Sequence, residues 1–173
     1  MSKGFGLAAD RIGARSVSVS EALDVIGGTL LAEVGGSMGP LYGTFFEAMA
    51  AACAGEDRLD AVVVGRMVER GLETVVEIGG ASVGDKTLID VLVPAEHAFR
   101  AAAGGGDLAA ALAAMTTAAE LGRDSTRDMV ARVGRASRLG ERSRGELDAG
   151  ATSCALLLGA FASEVTAILR EDG

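Results

Sequence analysis

Apolar and polar positions recur with a helical period along nearly the whole chain. From Ser18 the sequence reads SVSEALDVIGGTLLAEV, in which Ser18 and Glu21 have the spacing of a capping box. Leu23, Ile26, Leu30, Leu31 and Val34 then fall on one face, the stripe a helix buries. Gly35-Gly36 ends this helix, and Pro40 suits the first turn of the next, PLYGTFFEAMAAACAG, which stops at Gly55. A long helix is predicted from about Asp57 to Ile78, ended by Gly79-Gly80. After the loop GGASVGD a helix starts near Lys86, with Pro94 as a kink or break. Gly104 to Gly106 form a turn, and Asp107 caps a helix that extends to Val133. An irregular stretch fills Gly134 to Ala151, and a closing helix covers about Gly150 to Arg170.

No useful length of chain alternates apolar and polar residues. The runs VVVG and VLVP are too short to carry a sheet. The pattern predicts an all-α bundle with short connections, in one domain over residues 1–173 and without an internal repeat.

Charge and composition narrow the partners. With 24 acidic and 16 basic residues the net charge is −8, which argues against nucleic acid and against an anionic membrane surface. Aromatic residues are 3 % and Trp is absent, so a base-stacking platform is not expected. Glycine, at 25 of 173 residues, is about double its usual ~7 %, which implies close helix packing or backbone close to a ligand. Cys53 and Cys154 lie in apolar stretches and read as reduced core residues of a cytoplasmic protein, with a single disulfide as the alternative. The start lacks the apolar run of a signal peptide, and Gly150 to Ile168 is broken by Thr152, Ser153, Glu164 and Thr166, so no membrane span is expected.

Three loops interrupt the helices. Val34 to Leu41 carries Gly35, Gly36, Ser37, Met38 and Gly39. It is either a tight helix connection or a backbone cradle for an anion at a helix start. It is not a Walker loop, because the Lys-Ser/Thr ending is missing. Gly79 to Thr87 offers Asp85 as a helix cap, or Lys86 as a charge for phosphate. Gly134 to Ala151 gathers Arg135, Arg138, Arg142 and Arg144, a basic cluster in an acidic chain. It is either a solvated loop or a site for an anionic ligand. The lone histidine, His97, reads as a surface residue, and no Ser-His-Asp set is present. Met38, Met49, Met67, Met115 and Met129 read as core or pocket filler.

Taken together, VGGSMGPLYGTFF (Val34 to Phe46), GDKTLIDVLVPA (Gly84 to Ala95) and GRASRLGERSRGELDAGATS (Gly134 to Ser153) resemble the nucleotide-binding L subunit (DhaL type) of the dihydroxyacetone kinase family. The resemblance spans essentially the whole chain and is specific as a set. It implies an antiparallel barrel of helices with ADP or ATP bound at one end. It implies phosphoryl transfer to dihydroxyacetone or a related small ketose held by a partner K subunit. A phosphotransferase-system phosphocarrier subunit would recharge a permanently bound ADP, where ATP is not itself the exchangeable substrate. A homodimer is a further expectation.

Carried over by position, Ser37 and Met38 would face the phosphates from the loop of Gly35, Gly36 and Gly39. Gly79 and Leu88 would line the adenine side. Arg135 would contact the nucleotide, and Asp148, Ala149 and Gly150 would close the pocket. The chain departs from the family at three places: Ser37-Met38 replaces Ala-Ser, Asp148-Ala149-Gly150 replaces Asp-Pro-Gly, and Arg138 replaces Tyr. The family's magnesium motif, Gly-Asp-x-Asp-His-Gly, lies just before a stretch resembling Met1 to Phe5. On the resemblance, the Mg2+ ligands and the first helix are therefore expected upstream of Met1. Either the start is misassigned at an internal Met, or the chain is a truncated paralogue. The alternative function is then a catalytically inactive domain that binds a partner or regulator.

Overall fold

The computed structural model describes residues 2–171; Met1, where the start is in question, lies outside them. Among the described residues the elements are seven α-helices and two 3-10 segments, with no strand. The helices are α1 (Ser2–Ile12), α2 (Val19–Glu33), α3 (Met38–Ala52), α4 (Ala61–Gly79), α5 (Ile89–Ala103), α6 (Leu108–Ser125) and α7 (Ala149–Glu171). The 3-10 segments are Thr126–Asp128 and Arg135–Ser143. The all-α expectation holds. The chain forms two compact units, Met1–Gly80 and Ala81–Gly173.

In the first unit, consecutive helices pack on one another. The capping box of α2 forms as expected: the Ser18 hydroxyl accepts from Glu21 N–H, and the Glu21 carboxylate accepts from Ser18 N–H at 2.8 Å. Asp60 caps α4 by accepting from Val62 and Val63 N–H. The core is built from Leu30, Tyr42, Phe45, Met49, Val64, Met67, Val68 and Val75. Glycine makes the close crossings possible. A Cβ on Gly27 would lie 2.8 Å from the Gly43 carbonyl oxygen, and one on Gly43 would lie 3.0 Å from that of Gly27. Helix α1 is not expected from the sequence, since it has no capping signal and two glycines. It buries Ala8 and Gly4 and sets Phe5 edge-on to Phe46.

The second unit packs α5 on α6 and α6 on α7 around Leu92, Phe99, Leu112, Met115, Ala119, Ala151 and Cys154. Asp107 caps α6 as expected, accepting from Ala110 N–H at 3.0 Å. Two boundaries move. The α6 helix ends at Ser125 rather than Val133, and Arg135–Ser143 winds as 3-10 turns kinked at Gly140 instead of staying irregular. Pro94 does not break α5, which runs through it. Proline lacks the N–H that would bond the Asp90 carbonyl, and Gly122 of α6 approaches that carbonyl closely. Both cysteines are buried thiols outside any disulfide, as expected of core residues. By length and composition, residues 149–170 of α7, with mean hydropathy 1.6, are apolar enough to cross a membrane, despite the polar residues that argue against a span. The core helix of a water-soluble protein passes the same test, and one side of α7 carries the buried Ala151, Cys154, Ala155, Leu158 and Ala162.

Candidate functional site

In the first unit the glycine loop is built by close backbone contact. Gly36 has φ of 74°, a conformation that favours glycine. A Cβ on Gly39 would stand 2.0 Å from the Val34 carbonyl oxygen, so Gly39 is what lets α3 start hard against the end of α2. Gly35, Gly36 and Ser37 are exposed, Met38 is half-buried, and the Ser37 side chain makes no cap hydrogen bond. The exposed Gly79, last residue of α4, sits beside Leu41 of the first turns of α3. Within this unit, the structure therefore brings Gly79 to the same helix start as the glycine loop.

In the second unit a polar network organises the chain around residues 82–90 and 126–152. Asp90 is buried, and its carboxylate accepts from Gly84 N–H at 2.6 Å and Thr87 N–H at 2.7 Å. Asp85 is not the cap of α5. That helix starts at Ile89 with no side-chain cap, and the Asp85 carboxylate instead accepts from Ser82 N–H at 2.8 Å and faces Arg132 at 3.8 Å. Lys86 does not present its charge to solvent. It is 3 % exposed, and its ammonium donates to the carbonyls of Met129 at 3.2 Å, Glu146 at 2.7 Å and Ser143. The Ser143 hydroxyl accepts from Ala131 N–H and donates to the Gly140 carbonyl. Thr126, fully buried, accepts from Asp148 N–H at 3.0 Å.

Asp148 begins α7. Its carboxylate accepts from Ala151 N–H at 2.8 Å, and its carbonyl accepts from Thr152 N–H at 2.9 Å. Burial pushes its carboxyl above the usual range, against the lowering effect of the Ala151 and Gly150 amides and of Lys86. A Cβ on Gly150 would lie 3.5 Å from the Leu88 backbone nitrogen, so Leu88, Asp148 and Gly150 are neighbours, with Ala149 between the last two. Arg135 opens the 3-10 segment. Arg135, Arg138 and Arg142 are exposed, and among the described residues none of them is paired with a carboxylate. Arg144 differs: it bonds Glu141 at 3.2 Å and the Asp128 carbonyl.

Among the described residues, no three His, Cys, Asp or Glu side chains gather as a metal site would require. His97 is exposed, 3.7 Å from Glu96, as a surface histidine should be. Asp90 and Thr126 are not legible in the sequence as site residues: Asp90 lies inside a helix yet takes amides of the loop before it, and Thr126 meets an amide 22 positions along the chain.

The model of the DAK2 domain matches residues 1–163. The chain belongs to the DAK2-domain family. It is 38 % identical over 160 residues to the PEP-dependent dihydroxyacetone kinase ADP-binding subunit DhaL of Escherichia coli, covering 91 % of this chain and 76 % of that one. It is 36 % identical over 146 residues to the D-erythrulose kinase of Mycolicibacterium smegmatis, covering 83 % of this chain and 25 % of that one. Among solved structures, the native dihydroxyacetone kinase of C. freundii superposes with a TM-score of 0.61 at 27 % identity, covering 84 % of this chain and 24 % of that one. The chain thus spans about a quarter of the length of those two kinases. These relatives are named kinases, which sets this DAK2-family chain among phosphotransferases with the all-α fold of that family.

Proposed function

We propose that the chain binds ADP or ATP and serves as the nucleotide-binding component of a cytoplasmic kinase for dihydroxyacetone or a related small ketose held on a partner K subunit. The observation that carries this reading is the exposed trio Arg135, Arg138 and Arg142, on a segment tied down through Ser143, in a chain of net charge −8. Guanidinium groups match phosphate oxygens in a two-bond fork and keep their charge at any working pH.

Residues of the two units are assigned separately. In the second unit, Arg135 is assigned to the nucleotide phosphates and Leu88 to the base. The Asp148 carboxylate and backbone are engaged at the start of α7, so the turn of Asp148, Ala149 and Gly150 is assigned to closing the pocket as a fixed wall. In the first unit, the exposed Gly35, Gly36 and Ser37 are assigned to phosphate, with Met38 and Gly79 beside them; Gly39 closes the loop.

The chemistry is phosphoryl transfer. A bond from phosphorus to its leaving oxygen breaks, a bond to the ketose hydroxyl oxygen forms, and the hydroxyl proton is released. The chain contributes position and charge, which lower the barrier most in this class of reaction. The names of the PEP-dependent, ADP-binding relatives support ADP as a retained coenzyme, recharged by a phosphocarrier subunit.

Calorimetric titration with ADP and with ATP, each with and without magnesium chloride, tests the reading. Saturable binding of one nucleotide per chain is expected; no heat with either nucleotide under any condition overturns it. Adding a K subunit with dihydroxyacetone or erythrulose then identifies the acceptor.

A further inference from the structure

Lys86 is the most deeply buried cation in the second unit, and the phosphotransfer reading leaves it without a role. Three observations single it out. Its backbone has φ of 62°, making it the one non-glycine residue among those described in the left-handed region, a conformation that disfavours ordinary side chains. Its side chain is buried, which is rare for lysine unless its charge is satisfied. Its three N–H donors meet three carbonyls, of Met129, Ser143 and Glu146, so its donor capacity is filled without a ligand.

Those carbonyls bracket the segment that holds Arg135 and leads into Asp148. Among the described residues, no other single side chain ties the segment at three points. The segment contains left-handed Gly134, Gly140 and Gly145, and its 3-10 turns supply weaker internal hydrogen bonds than an α-helix. The other ties hold single points: the Ser143 hydroxyl, Arg144 to the Asp128 carbonyl, Arg127 and Gly145 to one another at 3.1 and 2.8 Å, Arg132 to Asp85 through its N–H at 3.1 Å and its guanidinium at 3.8 Å, and the Asp148 N–H to Thr126. A left-handed backbone at Lys86 directs one short tether to three separate points of the loop. A hydrophobic residue of the same size would leave three inward carbonyls without donors.

We propose that Lys86 is a positioning residue, whose buried ammonium holds the Met129, Ser143 and Glu146 carbonyls and so pre-orders residues 129–148 to present Arg135 and the Asp148–Gly150 turn to nucleotide. This rests on the nucleotide reading above. Lys86 acts through the loop and does not touch the ligand. Without it, binding has to order the loop at its own expense.

The test measures ADP affinity by titration in magnesium chloride, together with amide hydrogen exchange, for wild type, Lys86→Met and the core control Leu112→Ala. In Lys86→Met, amides of residues 130–146 should exchange rapidly without ligand and regain protection at saturating ADP. The dissociation constant should rise at least tenfold while α5 and α6 stay protected. Leu112→Ala should lose thermal stability yet keep its affinity within about twofold. If Lys86→Met does not fold, Lys86→Arg replaces it: the charge is kept, but a planar guanidinium cannot point three donors at converging carbonyls, and the same pattern is expected. Unchanged affinity or unchanged loop protection in the variant, with a wild type that binds ADP, overturns this proposal alone. A wild type that binds no ADP overturns the nucleotide reading and this proposal with it.

Discussion

The carbonyl oxygen of Asp90 occupies the space that a side chain on Gly122 would need: a Cβ there would lie 2.3 Å from it. The carbonyl is one that Pro94, four residues on, cannot engage from within α5. Proline in one helix and glycine in the next are thus two halves of one contact. Gly122→Ala should cost about 1–3 kcal/mol, because backbone rather than a flexible side chain must give way. Thermal melting should show a fall of several degrees. Gly28→Ala, which meets nothing within 4 Å in the middle of α2, should be neutral or slightly stabilising.

Gly71 of α4 lies under the ring of Phe45, whose Cε2 would be 2.5 Å from an added Cβ. Gly71→Ala should destabilise the first unit, and Phe45→Leu should recover part of that loss in the double variant. A double-mutant cycle measured by denaturant unfolding should give a coupling of about 0.5 kcal/mol or more. Strict additivity would mean the ring moves aside at no cost.

Arg135→Gln removes a charge without changing the length of the side chain greatly. On the proposed assignment it should weaken ADP binding about tenfold or more, the size of a lost charge-assisted hydrogen bond. Melting temperature in the absence of ligand should stay within a degree or two, since Arg135 is exposed. Equal affinities would remove Arg135 from the nucleotide.

The Asp148 carboxyl titrates above its ordinary value because burial penalises the charge. The folded state therefore holds this proton more tightly than the unfolded one. The stability it contributes is present in full below the unfolded value, near pH 4, and is lost as pH rises through the folded value. Asp148→Asn keeps a capping oxygen and removes the titration. Its melting temperature relative to wild type should rise across that window, and a difference independent of pH would refute the assignment.

Ser18→Ala deletes one half of the box that starts α2, and should cost about 1 kcal/mol. The reciprocal hydrogen bonds hold the Glu21 carboxyl below its usual range, so stability from this pair is lost as pH falls through that lowered value. The difference between wild type and Glu21→Gln, followed by circular dichroism, should narrow in acid.

Local signals are enough to read α2, the start of α6 and the approximate ends of α3 and α4, because Ser18, Asp107 and paired glycines act within one turn of where they stand. The start of α5 misleads for the opposite reason. Asp85 looks like a cap, yet the loop folds back so that Asp90, inside the helix, takes the Gly84 and Thr87 amides. Lys86 shows the same limit. Among glycine and aspartate it reads as a phosphate-facing cation, and only carbonyls 43 to 60 positions away in sequence explain its burial. The arginines of the third loop are legible as a cluster from composition alone. Which of them is bound to protein, as Arg144 is, depends on the 3-10 path of the loop.

Tyr42 is the chain's single tyrosine, tryptophan is absent, and the Tyr42 ring is buried in the first unit. Emission excited near 280 nm therefore reports on that unit alone, while far-ultraviolet ellipticity reports on every helix. Comparing the two signals during one melt asks whether the two units come apart together, with no label or added probe. The same scarcity makes 280 nm absorbance a poor measure of concentration, so stoichiometries from any titration should rest on peptide-bond absorbance or amino-acid analysis.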